Sequence, residues 1–231
     1  NALCRLLAES GGPQNGVIVH SDLLAGYLKE HYPQLYLVSS TTKVLTEFEA
    51  FRQETAREDF AYVVPDFRLN KAFAQLETLA RAEKDKVEFL YNECCWTGCR
   101  DRKRCYEVVS RQNLGEDCPD HRCAAPDAAQ GYRFSKAMRS PAFIGVAEHI
   151  CTAPGASAGY RFSSAMENPG FLSVGAIRNV YLPMGFSNFK LEGRGLGSAL
   201  VLEFLLYYLV KPEHQLEVRE EIYLDNMLDL F

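Results

Sequence analysis

Short β-branched runs alternate with amphipathic stretches at intervals of about 25 residues, and this alternation constrains the fold more than any other feature of the chain. Gly16–Val19, Leu35–Val38, Phe60–Val64 and Val87–Tyr91 read as buried strands. Ser21–His31, with Ser21 as N-cap, reads as a helix between the first two. Lys43–Glu58 has Val44, Phe48 and Phe51 at helical spacing, and Asn70–Ala82 puts Phe73, Leu76 and Leu79 on one face. Regularity breaks after residue 93 and returns with a strand at Phe186–Glu192, a helix from about Gly197 to Val210 and a charged helix at about Glu213–Leu228. Strand and helix in alternation predict a parallel α/β sheet. Eight such units close a barrel, so five point to a TIM-type (β/α) barrel lacking its N-terminal strands, with an open doubly wound sheet as the alternative. The opening Asn1-Ala2-Leu3-Cys4, with no Met and a helix-like continuation over residues 2–9, fits the expectation that an N-terminal portion is missing. The expected organisation is barrel units over 1–93, a Cys-rich insertion over 94–182, and a final strand with C-terminal helices over 183–231.

A content of 47% hydrophobic and 24% charged residues suffices for a packed core and excludes disorder. The net charge of -5 argues against a general nucleic-acid coat, although local basic patches remain available. The longest apolar run, Ser198–Val210, rises only about 20 Å as a helix, short of a bilayer. The first thirty residues lack a secretory pattern, so a soluble, cytoplasmic protein without membrane contact is expected.

Inside the insertion, Cys123–Val146 aligns with Cys151–Val174 at an offset of 28, with 14 of 24 positions identical. Two copies are too few for a solenoid. The plain reading is a duplication within a loop; the functional one is a pair of equivalent units binding a protein partner.

Eight cysteines occur, at 4, 94, 95, 99, 105, 118, 123 and 151, and seven fall between 94 and 151. Without a secretory signal, disulfides explain this clustering less well than a metal centre. Thiolates suit zinc or iron–sulfur clusters. Three residues separate Cys95 from Cys99, eighteen separate Cys99 from Cys118, and four separate Cys118 from Cys123. These gaps are looser than paired zinc knuckles and favour a cluster gripped by a loop, with zinc and merely buried or reactive thiols as alternatives. Cys4 falls in a helix and reads as packing. In an extended segment Cys94 points away from Cys95, so only one of that pair serves as a ligand.

The segment Asn92-Glu93-Cys94-Cys95-Trp96-Thr97-Gly98-Cys99-Arg100-Asp101-Arg102 resembles the N-E-x-C-x-x-x-C-x-x-R segment of the peptidase U32 family. Asn188-Phe189-Lys190-Leu191-Glu192-Gly193-Arg194 resembles that family's F-K-[IL]-E-G-R strand end, and Ser39-Ser40-Thr41-Thr42 its Ser-Thr pair. The resemblance covers most of residues 16–210 and implies a TIM-like barrel with a cysteine-held [4Fe–4S] cluster. It matches Cys95 and Cys99 to family cysteines and leaves Cys118 and Cys123 as the further ligands. Where relatives carry R-x-x-H-Y, this chain has Arg102-Lys103-Arg104-Cys105-Tyr106, which makes Cys105, like Cys151, an alternative to Cys123. Some members of that family are called collagenase-like proteases. Others are iron–sulfur proteins serving oxygen-independent hydroxylation of quinone precursors or of RNA bases. The resemblance therefore implies RNA or a small aromatic molecule as substrate, with a peptidase as the alternative.

In such a fold function collects where strands end. Those ends present His20 and Asp22, residues 39–42, Asp66 and Arg68, Asn92 and Glu93, then Lys190, Glu192 and Arg194. Glu93, Lys190, Glu192 and Arg194 are the catalytic candidates, because charges gathered at one strand end are costly to bury unpaired. Ser40, Thr41, Asp66, Arg68 and Asn92 are the substrate-binding candidates. Helix capping by Ser21, Asp22 and Thr42, and a turn at Asp66, are the plain alternatives. Gly193–Ser198 offers backbone amides to an anion or makes a tight turn. Arg100, Arg102, Lys103 and Arg104 either form a solvated helix face, bind phosphate or offset thiolate charge. Trp96 shields the site between two expected ligands. No Ser-His-Asp order is recognisable, and no two of the five His stand at metal-ligand spacing. A non-enzymatic binding protein with a structural metal is the third reading.

Overall fold

A computed structural model describes residues 2–11, 15–93, 95–116, 166, 168–192 and 198–227. Strands β1 (Gly16–Val19), β2 (Tyr36–Ser39) and β3 (Tyr62–Val63) form a parallel sheet in the order β1-β2-β3. Strands β4 (Glu88–Leu90) and β5 (Asn188–Lys190) form a parallel pair, joined to β3 by one parallel bridge between Val63 and Val87. The barrel expectation is corrected here: among the described residues there are sheets of three and two strands and no closed barrel. A repeat of strand and helix counts units but does not supply closure. These strands are two to four residues long and leave β1 and β5 unpaired with each other.

The helices are α1 (Ala2–Gly11), α2 (Asp22–His31), α3 (Phe48–Ala56), the single turns α4 (Phe73–Leu76) and α5 (Arg81–Lys84), α6 (Arg102–Asn113), α7 (Val174–Ala176), α8 (Ser198–Leu209) and α9 (Gln215–Met227). Ser21 caps α2 as expected, accepting from the Leu24 amide. Two expected helices are broken. Residues 41–43 make a 3₁₀ turn that ends at Val44, whose φ of 55° is left-handed, and α3 starts only at Phe48. A β-branched side chain is costly in that region. Asn70 spends its amide on Leu90 O (2.8 Å) and Gly170 O (2.9 Å), and the helix expected from it reduces to α4 and α5.

The core lies where the strands meet α2, α3 and the segment before β5. Phe89 packs edge-on against Tyr181 and Phe186, each 5.1 Å away between ring centres, and stacks on Phe189. Tyr181 donates its hydroxyl to Asn70 O at 2.6 Å, which satisfies the polar tip of a buried ring. Cys4 packs against this core, as expected of it. No helix among the described residues is long and apolar enough to cross a membrane. Helix α8, the apolar run, buries Phe204 and Leu206, and its Glu203 pairs with Arg219 of α9.

Phe89→Ala is expected to cost about 3–5 kcal/mol, because the ring is wholly buried among large neighbours that cannot collapse onto the void; urea denaturation checks this. A network of Asp22, Glu54 and Asp59 with Lys29, Lys43 and Arg57 ties α2 to α3. The hydrogen bond from Arg57 holds Asp22 below its usual pKa, and that from Lys29 does the same for Asp59. Burial raises Glu54, but Lys43 and Ser39 outweigh it and its pKa is also lowered. Carboxylates with depressed native pKa values contribute stability above the unfolded value of roughly 4 and lose it as pH falls through the native ones. The urea midpoint is therefore expected to drop from pH 5 to pH 3, and less steeply in Glu54→Gln.

Candidate functional site

All five strands run parallel, so their C-terminal ends carry His20, Ser40, Asp66, Asn92 and Glu192 to one side. Backbone bonds set the register: Ser40 N donates to Val19 O, Val64 N to Ser39 O, and Tyr91 N to Lys190 O. Asn92, fully buried, clamps the end of β5 with a paired amide contact, donating to Glu192 O at 2.8 Å and accepting from Glu192 N at 2.7 Å.

Four buried or half-buried charges fill the centre. Asp66 follows Pro65 and caps the 3₁₀ turn Phe67–Leu69 through Arg68 N at 3.1 Å. The plain turn reading is thus correct, and Asp66 is at the same time wholly buried and held two-pronged by Arg68, Nε to Oδ1 at 2.6 Å and Nη2 to Oδ2 at 3.0 Å. Arg68 Nη1 reaches on to Cys99 O at 2.7 Å. Glu93 Oε1 accepts from Cys95 N at 2.9 Å, while Oε2 binds Arg102 Nη2. Arg102, 2% exposed, also donates Nη2 to the Tyr106 hydroxyl at 2.7 Å, one helical turn along α6. Its Nη1 lies 3.6 Å from Asp66 Oδ2 and makes no hydrogen bond among the described residues.

Electrostatics follow from this packing. The Asp66 hydrogen bond raises the pKa of Arg68 above its usual value. Burial opposes the charge on Arg102, but Glu93, Tyr106, Asp66 and Cys95 together outweigh it and hold the proton firmly. Burial pushes the Tyr106 phenol well up, so it stays neutral at physiological pH.

The loop carrying the cysteines is tethered from both sides. Glu93 holds the Cys95 amide, Asn168 donates to Cys95 O at 3.0 Å, and Arg68 holds the Cys99 carbonyl. Cys99 is buried and Cys95 half-buried. Trp96 lies directly on Gly98, where any Cβ would collide with the indole. No disulfide links the described cysteines 4, 95, 99 and 105. Among the described residues no three His, Cys, Asp or Glu gather at metal-binding distance. Cys94, Cys118, Cys123, Cys151, Arg194, the turn around it and the tandem repeat lie outside the described residues.

The other expected residues divide. Lys190 pairs with Glu88 across the β4–β5 ladder at 3.0 Å. Ser40 caps the turn Thr41–Lys43, accepting from Thr42 N and Thr42 Oγ1, and Thr42 Oγ1 stands 2.9 Å from the exposed His20 Nδ1. Thr41 Oγ1 is buried without a hydrogen bond among the described residues. Of the basic run, Arg100, Lys103 and Arg104 are exposed and Arg102 is buried. Tyr106 and Asn168 were not among the candidate site residues, and Arg102 was singled out only as part of the basic run and of the cysteine segment. No family model, curated protein or solved structure matches the chain.

Removing one partner of a buried ion pair leaves the other uncompensated. Glu93→Ala is accordingly expected to destabilise the protein by about 3–5 kcal/mol in urea, with part of the loss recovered in Glu93→Ala/Arg102→Met.

Proposed function

We propose that this chain is an iron–sulfur protein similar to U32 relatives, its centre held by Cys95 and Cys99 with Cys118 and Cys123 as further ligands. The observation that carries the reading is one loop with two cysteines tied to two guanidiniums, Arg68 through the Cys99 carbonyl and Arg102 through Glu93, which also holds the Cys95 amide. Both carboxylates beside them are already engaged by those guanidiniums, and Arg102 Nη1 keeps an N–H in reserve. A donor set of thiols with buried cations fits a thiolate-rich, negatively charged group, and does not fit a hard cation. When bound, such a group supplies one-electron chemistry. Cys95 and Cys99 would hold it, Arg68 and Arg102 would compensate its charge, and Asp66 and Glu93 would fix those cations.

The activity proposed with it is oxygen-independent hydroxylation of an RNA base or a small aromatic molecule. Support for an RNA substrate is the exposed trio Arg100, Lys103 and Arg104, which stands beside the cysteine loop and suits phosphates. The resemblance rests on the cysteine and strand-end motifs and no longer on a barrel.

Anaerobic reconstitution with ferrous iron and sulfide tests the centre. Iron and acid-labile sulfide of about four each per chain, with visible charge-transfer absorption, are expected. Cys95→Ala and Cys99→Ala should lose both, and Cys4→Ala should keep them. A protein that takes up zinc and no sulfide overturns the reading.

A further inference from the structure

Helix α8 is apolar on more sides than the described residues cover. Its one charged residue is Glu203, and Arg219 of α9 holds that carboxylate two-pronged at 2.9 and 2.7 Å. A helix with so little polar surface is suited to contact all round. Two sides have it. Tyr208 turns to the core, donating to Leu172 O at 2.8 Å with its ring centre 3.9 Å from that of Tyr91. Glu203 and the end of the helix turn to α9, whose Gln215 donates to Leu206 O and Val210 O.

The third side is open. Leu202, Leu205 and Leu209 follow one another at spacings of three and four, so they form one line along the helix. Leu202 is half-buried, Leu205 is 39% exposed and Leu209 76%. Helix α9 adds charge to the same hairpin. Its one basic residue, Arg219, is spent on Glu203. Glu213, Glu220 and Glu221 are exposed and make no ion pair among the described residues, and Glu217 meets only the exposed His214 at 3.5 Å.

A leucine line beside uncompensated carboxylates selects its occupant by charge. A second copy of the chain brings the same carboxylates and a net charge of -5. An anionic lipid surface is repelled for the same reason. A helix with apolar residues at matching spacing and Lys or Arg alongside satisfies both features at once.

We propose that the α8–α9 hairpin is the docking surface for a basic amphipathic helix of a partner protein, its apolar stripe seated on Leu202, Leu205 and Leu209 and its cations drawn to the carboxylates of α9. The inference does not rest on the reading given under Proposed function.

The test titrates the full chain into a labelled synthetic helix built of leucine and lysine, leucine recurring every third or fourth position, and follows fluorescence anisotropy. Saturable binding of one peptide per chain is expected, weakening as salt rises. Affinity is expected to fall about tenfold or more in Leu205→Ser/Leu209→Ser and in Glu220→Lys/Glu221→Lys. It is expected to hold in Glu49→Lys/Glu77→Lys, which alters exposed carboxylates elsewhere. Circular dichroism checks that each variant is folded, and should the leucine variant fail to fold, the two charge variants decide. No saturable binding, binding undiminished in a folded hairpin variant, or equal binding of a peptide with glutamate in place of lysine overturns the proposal. So does a chain that sediments as a dimer, or binds phosphatidylglycerol vesicles, and loses that property in Leu205→Ser/Leu209→Ser, since the stripe then belongs to a second copy or to lipid.

Discussion

Two carboxylates and two guanidiniums, Asp66 with Arg68 and Glu93 with Arg102, occupy the point where β3, β4 and the start of α6 converge. Each of these charges costs several kcal/mol to remove from water, so none of the four tolerates loss of its partner. That requirement organises the chain around it. The turn after β3 must deliver Asp66 and Arg68 together, the loop after β4 must turn at Glu93, and α6 must begin at Arg102 and face inward for one turn to bring Tyr106 into reach. The two sheets share a single backbone bridge at Val63 and Val87, so side chains supply much of what joins them. Asn92 extends the joint to β5 by meeting both backbone groups of Glu192.

Much of the framework was legible in the residues because it follows from local pattern. Gly16–Val19 is a short β-branched run, and Ser21 precedes a helix whose periodicity is plain. Where the reading departs from the structure, a long-range interaction has overridden a local one. Lys43 reads as the start of a helix, but its ammonium is drawn to Glu54 at 2.6 Å and sits 4.7 Å from the Phe60 ring centre, and the chain turns through Val44 to allow it. Asn70 reads as a helix start, but it joins β4 to Gly170, a hundred residues on. The second pairing spans a hundred residues, beyond any window of local sequence.

The centre was half legible for the same reason. Strand ends are where a parallel sheet leaves polar groups, so Asp66, Asn92 and Glu93 could be picked out by position. Arg102 could not. Four basic residues within five positions look like one solvated face, yet helical geometry separates them: Arg102 faces Tyr106 and the strand ends while Lys103 and Arg104 face water. The barrel failed at a different level, since counting units of strand and helix says nothing about whether the first and last strands meet.

Charge arithmetic then narrows what the centre suits. The four central side chains sum to zero, and every carboxylate oxygen among them already accepts from an arginine or from the Cys95 amide. A hard cation such as Mg²⁺ or Ca²⁺ needs such oxygens free, and capturing them here would strand two buried guanidiniums. The loop also brings two thiols, those of Cys95 and Cys99, to this quartet. A cysteine thiolate beside this neutral quartet carries the local sum negative, and the compensation available is the N–H that Arg102 has not spent. On the proposed reading the carboxylates therefore act one step removed: they do not touch the metal, but by holding two cations dry and rigid they make a negatively charged, sulfur-bound group affordable next to the core.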